Sequence, residues 1–592
     1  MRLIRDNTYT TIDFSGLNSE FIEQFEYNFG IYTGVRVPGY EKTKAYKLHE
    51  WDGYTLVYDK NKHRIPDGLF PQLQTYLETL QDKLPQLQYT VDDKRDEPFM
   101  SSEDIEGSLY FTNEKGENLT LLDYQDESVR KAIDTDKGIL ELATNAGKTG
   151  TSIALIQQLA NYLDKGETVA YFVPRIAIFD QAINSFVAHF GKDNVGYWGA
   201  GKKHLSKINV ISMGSMVSAL KNPLDDKKNY PNNNKFVGKN RTLQIFVDTV
   251  IPMFESHKNE RLILGSLIKN YPSKTKSEQE IKRWLEEAYE TKNTDSKVRM
   301  FLNSKNAEFV KIVESKMGDK YDKYIKTIDF TNTVKVIVVD EAHHSGADGY
   351  YRTLLSFPNA QYKYAMTGSI DRKDKLLLQR MRGLYGGVIN SVRNDELIER
   401  GVSAKPTITM INVKGTINLE PADEKNFIKI TELGIVKNDT RNTIITQIAK
   451  KMYTLDKPTL ITVNRVEHGE ILRDMLAEEN VPSVFLSGDD DSETRQRAIK
   501  GMTDGTVKVL IATSIFDEGV SVNNIRALIM AGSTKSLRLV LQRTGRSLRK
   551  KSTDNTALIF DFVDRNHPIL RKHSEDRLNI YKNEGYDIKY LN

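Results

Sequence analysis

The stretch "ELATNAGKTGTSIAL", Glu141 to Leu155, holds Gly147, Lys148 and Thr149 in the order a phosphate-binding loop requires. In such a loop backbone N–H groups cradle phosphate oxygens, the lysine reaches the β- and γ-phosphates, and the threonine hydroxyl serves Mg²⁺. Leu142 stands where the GxxxxGK[ST] pattern has its first glycine. A bare GK[ST] arises by chance about 0.3 times in a chain of this length, so the tripeptide needs support from elsewhere. "VKVIVVDEAHH" supplies it, because an apolar run there ends in Asp340-Glu341-Ala342-His343. That tetrapeptide has a chance expectation of only about 0.003. Asp340 can hold Mg²⁺ through water, and Glu341 can orient and polarise water for phosphoryl transfer. His343 and His344 suggest a metal centre, but the spacing and further ligands are missing. A third group lies in "LRLVLQRTGRSLRK", where Gln542, Arg546 and Arg549 recur at steps of four and three on one helical face. A planar guanidinium fork suits the spread charge of a phosphoryl transition state.

These residues need elements to hold them. A phosphate site requires a loop between a strand and a helix, so that phosphate meets backbone N–H groups at the positive end of the helix dipole. "GILELAT" reads as that strand and "GTSIALIQQLANYL" as that helix, with Leu142 still inside the strand. Ala146 and Gly150 complete the loop around Gly147. Similar apolar runs follow in "TVAYFVP", "KINVISM", "VKVIVVDEA" and "KYAMTGS". A second series comprises "PTLITVN", "VPSVFLSG", "VKVLIATS", "RALIMAG" and "TALIFDF". Apolar runs interleaved with helical text indicate parallel strands buried on both faces. The chain therefore reads as two tandem α/β domains, 116–405 and 406–592, joined near "ERGVSAKPTITM". Asp340 falls at a strand's carboxyl end, where open α/β sheets bind ligands.

Residues 1–115 mix alternating text such as "YTLVYD" with the helical "FPQLQTYLETLQDKL", which predicts a small α+β domain. Residues 221–330 interrupt the first strand series with text such as "SEQEIKRWLEEAYE". They carry 22 Lys or Arg against 16 Asp or Glu and read as an inserted, mainly helical subdomain. The 592 residues are enough for several cores. No run approaches a membrane span and the N-terminus has no apolar signal core. With no cysteine, disulfides and thiolate metal sites are excluded and the reducing cytoplasm is the expected location. A net charge of +4 permits local basic surfaces and identifies no partner.

Taken in order, the motifs resemble those of superfamily 2 helicases and translocases over about 120–550. "LLDYQDESV" resembles the adenine-reading Q motif, which implies Gln125 as a base contact. "PRIAIFDQ" resembles motif Ia, which implies nucleic-acid backbone contacts from Pro174, Arg175 and Gln181. "TGS", Thr367 to Ser369, resembles the coupling motif III, and "LITVNRVEHGEIL" resembles motif IV. "IATSIFDEGVSV" resembles motif V, placing Thr513 near nucleic-acid phosphates and Asp517 and Gly519 near the nucleotide. "QRTGRSLR" resembles motif VI, with Gln542, Arg543, Arg546 and Arg549. In related systems an arginine finger accelerates turnover by about 10³ to 10⁵. The resemblance implies two RecA-like motor domains, ATP and Mg²⁺ as cofactors, and Lys148, Asp340, Glu341, Arg546 and Arg549 as the catalytic set. Thr149 and Asp340 would serve the metal.

Within the superfamily, the chain lacks the "GG" and "TPGR" elements of DEAD-box RNA helicases and the long C-terminal region of DEAH-box splicing helicases. Its layout and the text "EWDGYTLVYDKNKHRIPDGLFPQL" are most similar to bacteriophage UvsW-type helicases, which remodel branched DNA and R-loops. The insertion at 221–330 departs from that family's pattern. The resemblance implies forked, branched or R-loop DNA held by sequence-independent backbone contacts. RNA and phage replication and recombination proteins are further partners it allows, in a bacterial host's cytoplasm. In the N-terminal domain, Lys44, Lys47, Lys60, Lys62 and Arg64 surround Trp51, Tyr54 and Tyr58 in an expected hairpin. Such a mixture can hold a phosphate backbone and stack on bases, and it equally describes a hairpin with aromatics inward and lysines outward. Three classes of function follow: a helicase on branched DNA or hybrids, a double-strand translocase of a restriction-type complex, and a non-catalytic scaffold. The lack of a nuclease motif favours the first over the second. Intact Lys148, Glu341 and Arg549 disfavour the third. An RNA helicase is the remaining variant of the first.

Overall fold

The computed structural model describes the chain apart from Glu50, Arg175, 224–238, 255–259, Asn293, 514–524, 533–555 and Asn592. It divides into two compact units. The smaller comprises 1–95, 215–334 and 352–359. Its N-terminal part holds β1 (Arg2–Arg5), β2 (Tyr9–Asp13), β3 (Val35–Arg36), β4 (Tyr54–Thr55), β5 (Arg64–Pro66) and β6 (Thr90–Asp93). Four of these form a sheet in the order β5-β2-β1-β6, and β3 pairs with β4 separately. Helix Phe70–Lys83 buries Phe70, Leu73 and Leu77, the apolar positions of the expected helical pattern. The expected hairpin over 51–66 reduces to a single bridge between Asp59 and Arg64, because β4 and β5 pair with other strands.

The insertion is helical among its described residues, with α-helices at Lys239–Ile245, Glu260–Asn270, Lys276–Thr291, Asp295–Met317 and Asp319–Thr333. Helix Lys276–Thr291 starts at a capping box, Thr275 accepting from the Glu278 N–H and Glu278 from the Thr275 N–H. Leu243, Phe246, Leu264, Ile281 and Leu285 form part of a separate core.

The larger unit comprises 96–214, 335–351 and 360–592. It therefore begins at Asp96, some twenty residues before the boundary expected at 115. The reason is packing: Met100, Ile105 and Leu109 are buried in this unit's core, and the Phe99 N–H donates to the Tyr362 hydroxyl at 3.1 Å. A hairpin of β7 (Tyr110–Thr112) and β8 (Asn118–Thr120) follows. The first large sheet contains β9 (Lys137–Leu142), β10 (Thr168–Val173), β11 (Val195–Gly199), β12 (Lys202–His204) and β13 (Ile208–Ser212). It also contains β14 (Val334–Val339), β15 (Tyr362–Thr367) and β16 (Val388–Val392), in the order β12-β11-β13-β10-β14-β15-β9-β16. The insertion lies between β13 and β14 in the chain.

The second sheet contains β17 (Lys405–Val413), β18 (Thr459–Thr462), β19 (Val484–Leu486), β20 (Val509–Ala512), β21 (Ala527–Met530), β22 (Thr556–Asp564) and β23 (Asp587–Leu591). Its order is β19-β20-β18-β21-β22-β17-β23, and its ladders are parallel. Both series of apolar runs thus become parallel sheets, giving the tandem RecA-like architecture. Among the described residues, no helix is long and apolar enough to cross a membrane.

Candidate active site

Strand β9 delivers the chain to a loop whose backbone reverses at Asn145 and Gly147, with φ of 75° and 80°. Gly147 caps helix Lys148–Ala160 in the left-handed conformation that glycine adopts without steric cost. A Cβ there would fall 2.2 Å from Nε2 of Gln125, so the close approach also needs glycine. Gln125 is itself buried and bonded at both ends of its amide. Its Oε1 accepts from the Leu122 N–H and its Nε2 donates to the Ala146 carbonyl, each at 2.8 Å. Gln125 thus staples the loop through these two bonds. Leu142 is fully buried within β9, which explains how the loop dispenses with a glycine there. Lys148 and Thr149 begin the helix, and Lys148 Nζ donates to the Leu142 carbonyl at 3.4 Å. Gly150 lies under Phe111 of the β7–β8 hairpin, whose ring would be 2.6 Å from an added Cβ.

Two strands along, β14 gives way to Asp340, whose N–H still donates to the Phe172 carbonyl on β10. Glu341 then adopts φ 46° and ψ 48°. A non-glycine residue held in that region costs on the order of 1–3 kcal/mol and is typical of functional sites. Glu341 Oε1 lies 3.9 Å from Lys148 Nζ, and its Oε2 lies 3.4 Å from His343 Nδ1. His343 Nδ1 is 3.3 Å from the Thr367 hydroxyl, which donates to the Ser369 carbonyl at 3.1 Å. A polar chain therefore joins the phosphate-loop Lys148 through Glu341 and His343 to Thr367 of the "TGS" turn. Burial, then the neighbouring Glu341 carboxylate, pushes Asp340 up to about 6, with Lys148 acting in the opposite direction. The buried Tyr171 hydroxyl on β10 hydrogen-bonds Asp340, and burial holds that phenol well above its ordinary range.

Glu141 was not anticipated as a functional residue. It is buried on β9 and accepts from the Ile370 N–H at 3.1 Å and from Arg372 at 2.7 Å. It ties the segment after "TGS" to the strand that carries the phosphate loop. Its one sequence signal is a carboxylate inside the otherwise apolar "GILEL".

The donor set fits a nucleotide with Mg²⁺. A lysine ammonium with few protein acceptors, backbone N–H groups at a helix start, the Thr149 hydroxyl and two carboxylates converge at one sheet rim.

The nucleic-acid candidates are more scattered. The Pro174 carbonyl accepts from the Tyr350 hydroxyl at 3.2 Å, and Gln181 is exposed on helix Phe179–Phe190. Thr513 is buried, its N–H donating to the Leu486 carbonyl. In the smaller unit, the Trp51 indole N–H donates to the Tyr54 carbonyl, and the Tyr58 hydroxyl donates to Glu26. Arg64 lies 3.7 Å over the Tyr9 ring and bonds Asp59. Lys60 is exposed. Tyr58 is thus turned inward. Arg175, Asp517, Gly519, Gln542, Arg543, Arg546 and Arg549 lie outside the described residues.

Comparison with known proteins identifies two families in chain order. Residues 118–372 match "Type III restriction enzyme, res subunit", and residues 440–551 match "Helicase conserved C-terminal domain". The chain is 26% identical over 276 residues to "ATP-dependent DNA helicase uvsW" of Enterobacteria phage T4, covering 43% of this chain and 54% of that protein. It is 25% identical over 274 residues to "Putative helicase 22" of a Sulfolobus islandicus filamentous virus, covering 45% and 48%. The chain thus spans about half the length of these curated relatives. The crystal structure of T4 UvsW aligns over 100% of this chain and 99% of its own, at 16% identity and a TM-score of 0.40.

Proposed function

We propose that this superfamily 2 helicase uses ATP and Mg²⁺ to unwind or branch-migrate forked, branched or R-loop DNA during replication, recombination and repair. The observation that carries the reading is the convergence of Lys148 and Glu341, 3.9 Å apart, at the end of two strands of one parallel sheet. The DNA assignment draws on the T4 relative, whose name specifies DNA.

In this mechanism Lys148, the N–H groups at the start of helix Lys148–Ala160 and the Thr149 hydroxyl bind the phosphates and their metal. Mg²⁺ held there would supply charge neutralisation for the transferring phosphoryl group. Asp340 would help hold the metal, and a cation beside it would favour its carboxylate by offsetting the buried charge. Glu341, held out of strand alternation by its left-handed backbone, orients the attacking water. His343 and Thr367 transmit the position of Glu341 to the "TGS" turn, and Glu141 anchors the segment beyond it. Arg546 and Arg549 serve as cationic groups from the second motor domain, with Gln542, Asp517 and Gly519 completing the nucleotide site. Pro174, Arg175, Gln181 and Thr513 contact the backbone of the nucleic acid, and Lys60 adds a contact from the N-terminal domain. The setting is cytoplasmic, that of a bacterial host for a phage-encoded chain.

The test is strand displacement on forked DNA, Holliday junctions, R-loops and duplex RNA, with ATP turnover followed in parallel. Preferential, ATP-dependent resolution of the branched DNA substrates is expected. Turnover stimulated by linear duplex without displacement would instead mark a translocase, and a preference for duplex RNA would mark an RNA helicase.

A further inference from the structure

Helix Glu260–Asn270 of the insertion is apolar on more than one side. Leu264 faces the subdomain's own core, where it is fully buried. Leu262, Ile263 and Leu267 line a groove of about 1130 Å³ beside that core, and Leu262 is 72% exposed. A second row, Ile245, Thr249 and Met253, also lines the groove at steps of four residues, and Met253 is 48% exposed. It runs from the end of helix Lys239–Ile245 through a π-helical turn, Phe246–Val250, into a 3₁₀ turn, Ile251–Phe254. The lining continues through Tyr271 and Pro272 to the start of helix Lys276–Thr291. Single exposed apolar side chains are ordinary, but these converge on one concavity. Its volume exceeds the range of about 300–1,000 Å³ usual for small-molecule pockets.

The surroundings of the groove are basic. Residues 261–277 hold Arg261, Lys269, Lys274 and Lys276 and no Asp or Glu. Arg261 is occupied, donating to the Lys292 carbonyl at 2.6 Å and lying over the Tyr289 ring, whereas the three lysines are exposed. Among the described lining residues the one acid is Glu278, whose carboxylate accepts from the Lys274 and Thr275 N–H groups at 2.8 Å each. That carboxylate is turned to the start of its own helix.

We propose that this groove docks an amphipathic helix of a partner protein, with apolar side chains on one face and Asp or Glu on its flanks. Leu262 to Asn270 spans about 12 Å of helix at about 1.5 Å per residue, which matches about two turns of a partner inserting side chains at i, i+4 and i+7. The apolar lining supplies affinity, while Lys269, Lys274 and Lys276 match the acidic flanks and set orientation. An extended peptide needs a free sheet edge, and the described residues of the insertion contain no strand. A membrane surface takes a projecting apolar face rather than a recessed one. Such docking is independent of which nucleic acid the motor acts on.

A displayed library of short helical peptides, selected against the full chain, supplies the probes, and fluorescence anisotropy measures the affinity of those enriched. They should carry apolar residues at i, i+4 and i+7 between acidic ones. Leu262→Glu/Met253→Glu, at two exposed positions, should weaken their binding about tenfold or more, because it sets carboxylates against both the inserted side chains and the acidic flanks. Lys269→Glu/Lys274→Glu/Lys276→Glu should weaken binding at low salt and less at high salt, since these charges are exposed. Lys320→Glu/Lys323→Glu/Lys326→Glu makes the same charge change at exposed positions of helix Asp319–Thr333, outside the groove, and should bind as the parent does. Parental thermal melts by circular dichroism confirm that each variant is folded. Failure to enrich any helical peptide overturns the docking site, as do enriched peptides that bind the Leu262→Glu/Met253→Glu variant as tightly as the parent. An equal loss in the Lys320→Glu/Lys323→Glu/Lys326→Glu variant also overturns it. Groove-dependent binding to phosphatidylglycerol vesicles without peptide binding overturns it in favour of a membrane surface.

Discussion

Replacing Gln125 by alanine takes from the Leu122 N–H and the Ala146 carbonyl the partners they have at 2.8 Å. The two losses are unequal. Leu122 is 44% exposed, so its N–H can turn to water, whereas Ala146 is fully buried. A buried polar group left without its partner costs about 1–3 kcal/mol, while a replaceable neutral bond contributes about 0.5–1.5 kcal/mol. The net penalty should therefore fall mainly on the loop at Ala146, at about 1–2 kcal/mol, or roughly a 5- to 30-fold weakening of nucleotide binding. The loop is backbone, so the loss should be the same for ATP and GTP. Titration with fluorescent analogues of both nucleotides measures it. Gln125→Glu keeps an acceptor for Leu122 but sets a carboxylate oxygen against the Ala146 carbonyl, and it should bind no better than the alanine variant. The amide uses two of its four hydrogen-bonding positions here, which leaves capacity for a further contact to a base. An additional loss confined to ATP would reveal that contact. Unchanged affinity for both nucleotides, or a loss for ATP alone, would refute the staple.

Lys148→Ala should abolish turnover by weakening phosphate binding, whereas Glu341→Gln should bind ATP and stall before hydrolysis; equilibrium binding and single-turnover kinetics separate the two. Replacing 221–330 by a short flexible linker should leave nucleic-acid-stimulated ATP turnover largely intact while changing substrate preference, because the segment has its own core. A folded deletion variant without any turnover would place the segment in the motor. Arg549→Lys keeps the charge and removes the planar fork, so turnover should fall far more than ATP affinity. Parental unwinding by that variant would shift the role to Arg546.

What could be read in advance followed from burial on both faces. Strands β9, β10 and β14 are contiguous apolar runs because each lies inside a sheet with helices packed over it. Strands β11 and β16 went unread for the opposite reason: "VGYWG" and "VINSV" lie near or at the edges and are partly exposed, so no continuous apolar run marks them. The boundary near Asp96 was missed because Met100, Ile105 and Leu109 enter the core one at a time, without periodicity. In the N-terminal domain the residue types were correct for either of two surfaces. Only the Tyr58–Glu26 bond and the Arg64–Tyr9 contact decide which way those side chains turn. The Glu141–Arg372 bond spans 231 positions, and nothing local to either residue pairs them.

The acidic pair demonstrates why residue types can name a site yet leave its geometry unread. Consecutive strand residues point to opposite faces, so an extended Asp340-Glu341 would have set its carboxylates on opposite faces of the sheet. The ladder holds Asp340 in register through its N–H bond to Phe172, and the backbone then reverses at Glu341. Asp340 is left among buried groups beside Tyr171, an environment that disfavours its charge until a cation arrives. Glu341 is swung toward Lys148 and His343, whose nitrogens lie 3.9 and 3.4 Å from its two carboxylate oxygens and keep it aimed. Two adjacent carboxylates thereby acquire two environments, one suited to holding a metal's water shell and the other to orienting water. The left-handed turn that divides them costs on the order of 1–3 kcal/mol, so the surrounding contacts must hold it in place. His343, bridging Glu341 to Thr367, is the contact that makes the same turn sensitive to what the "TGS" segment does.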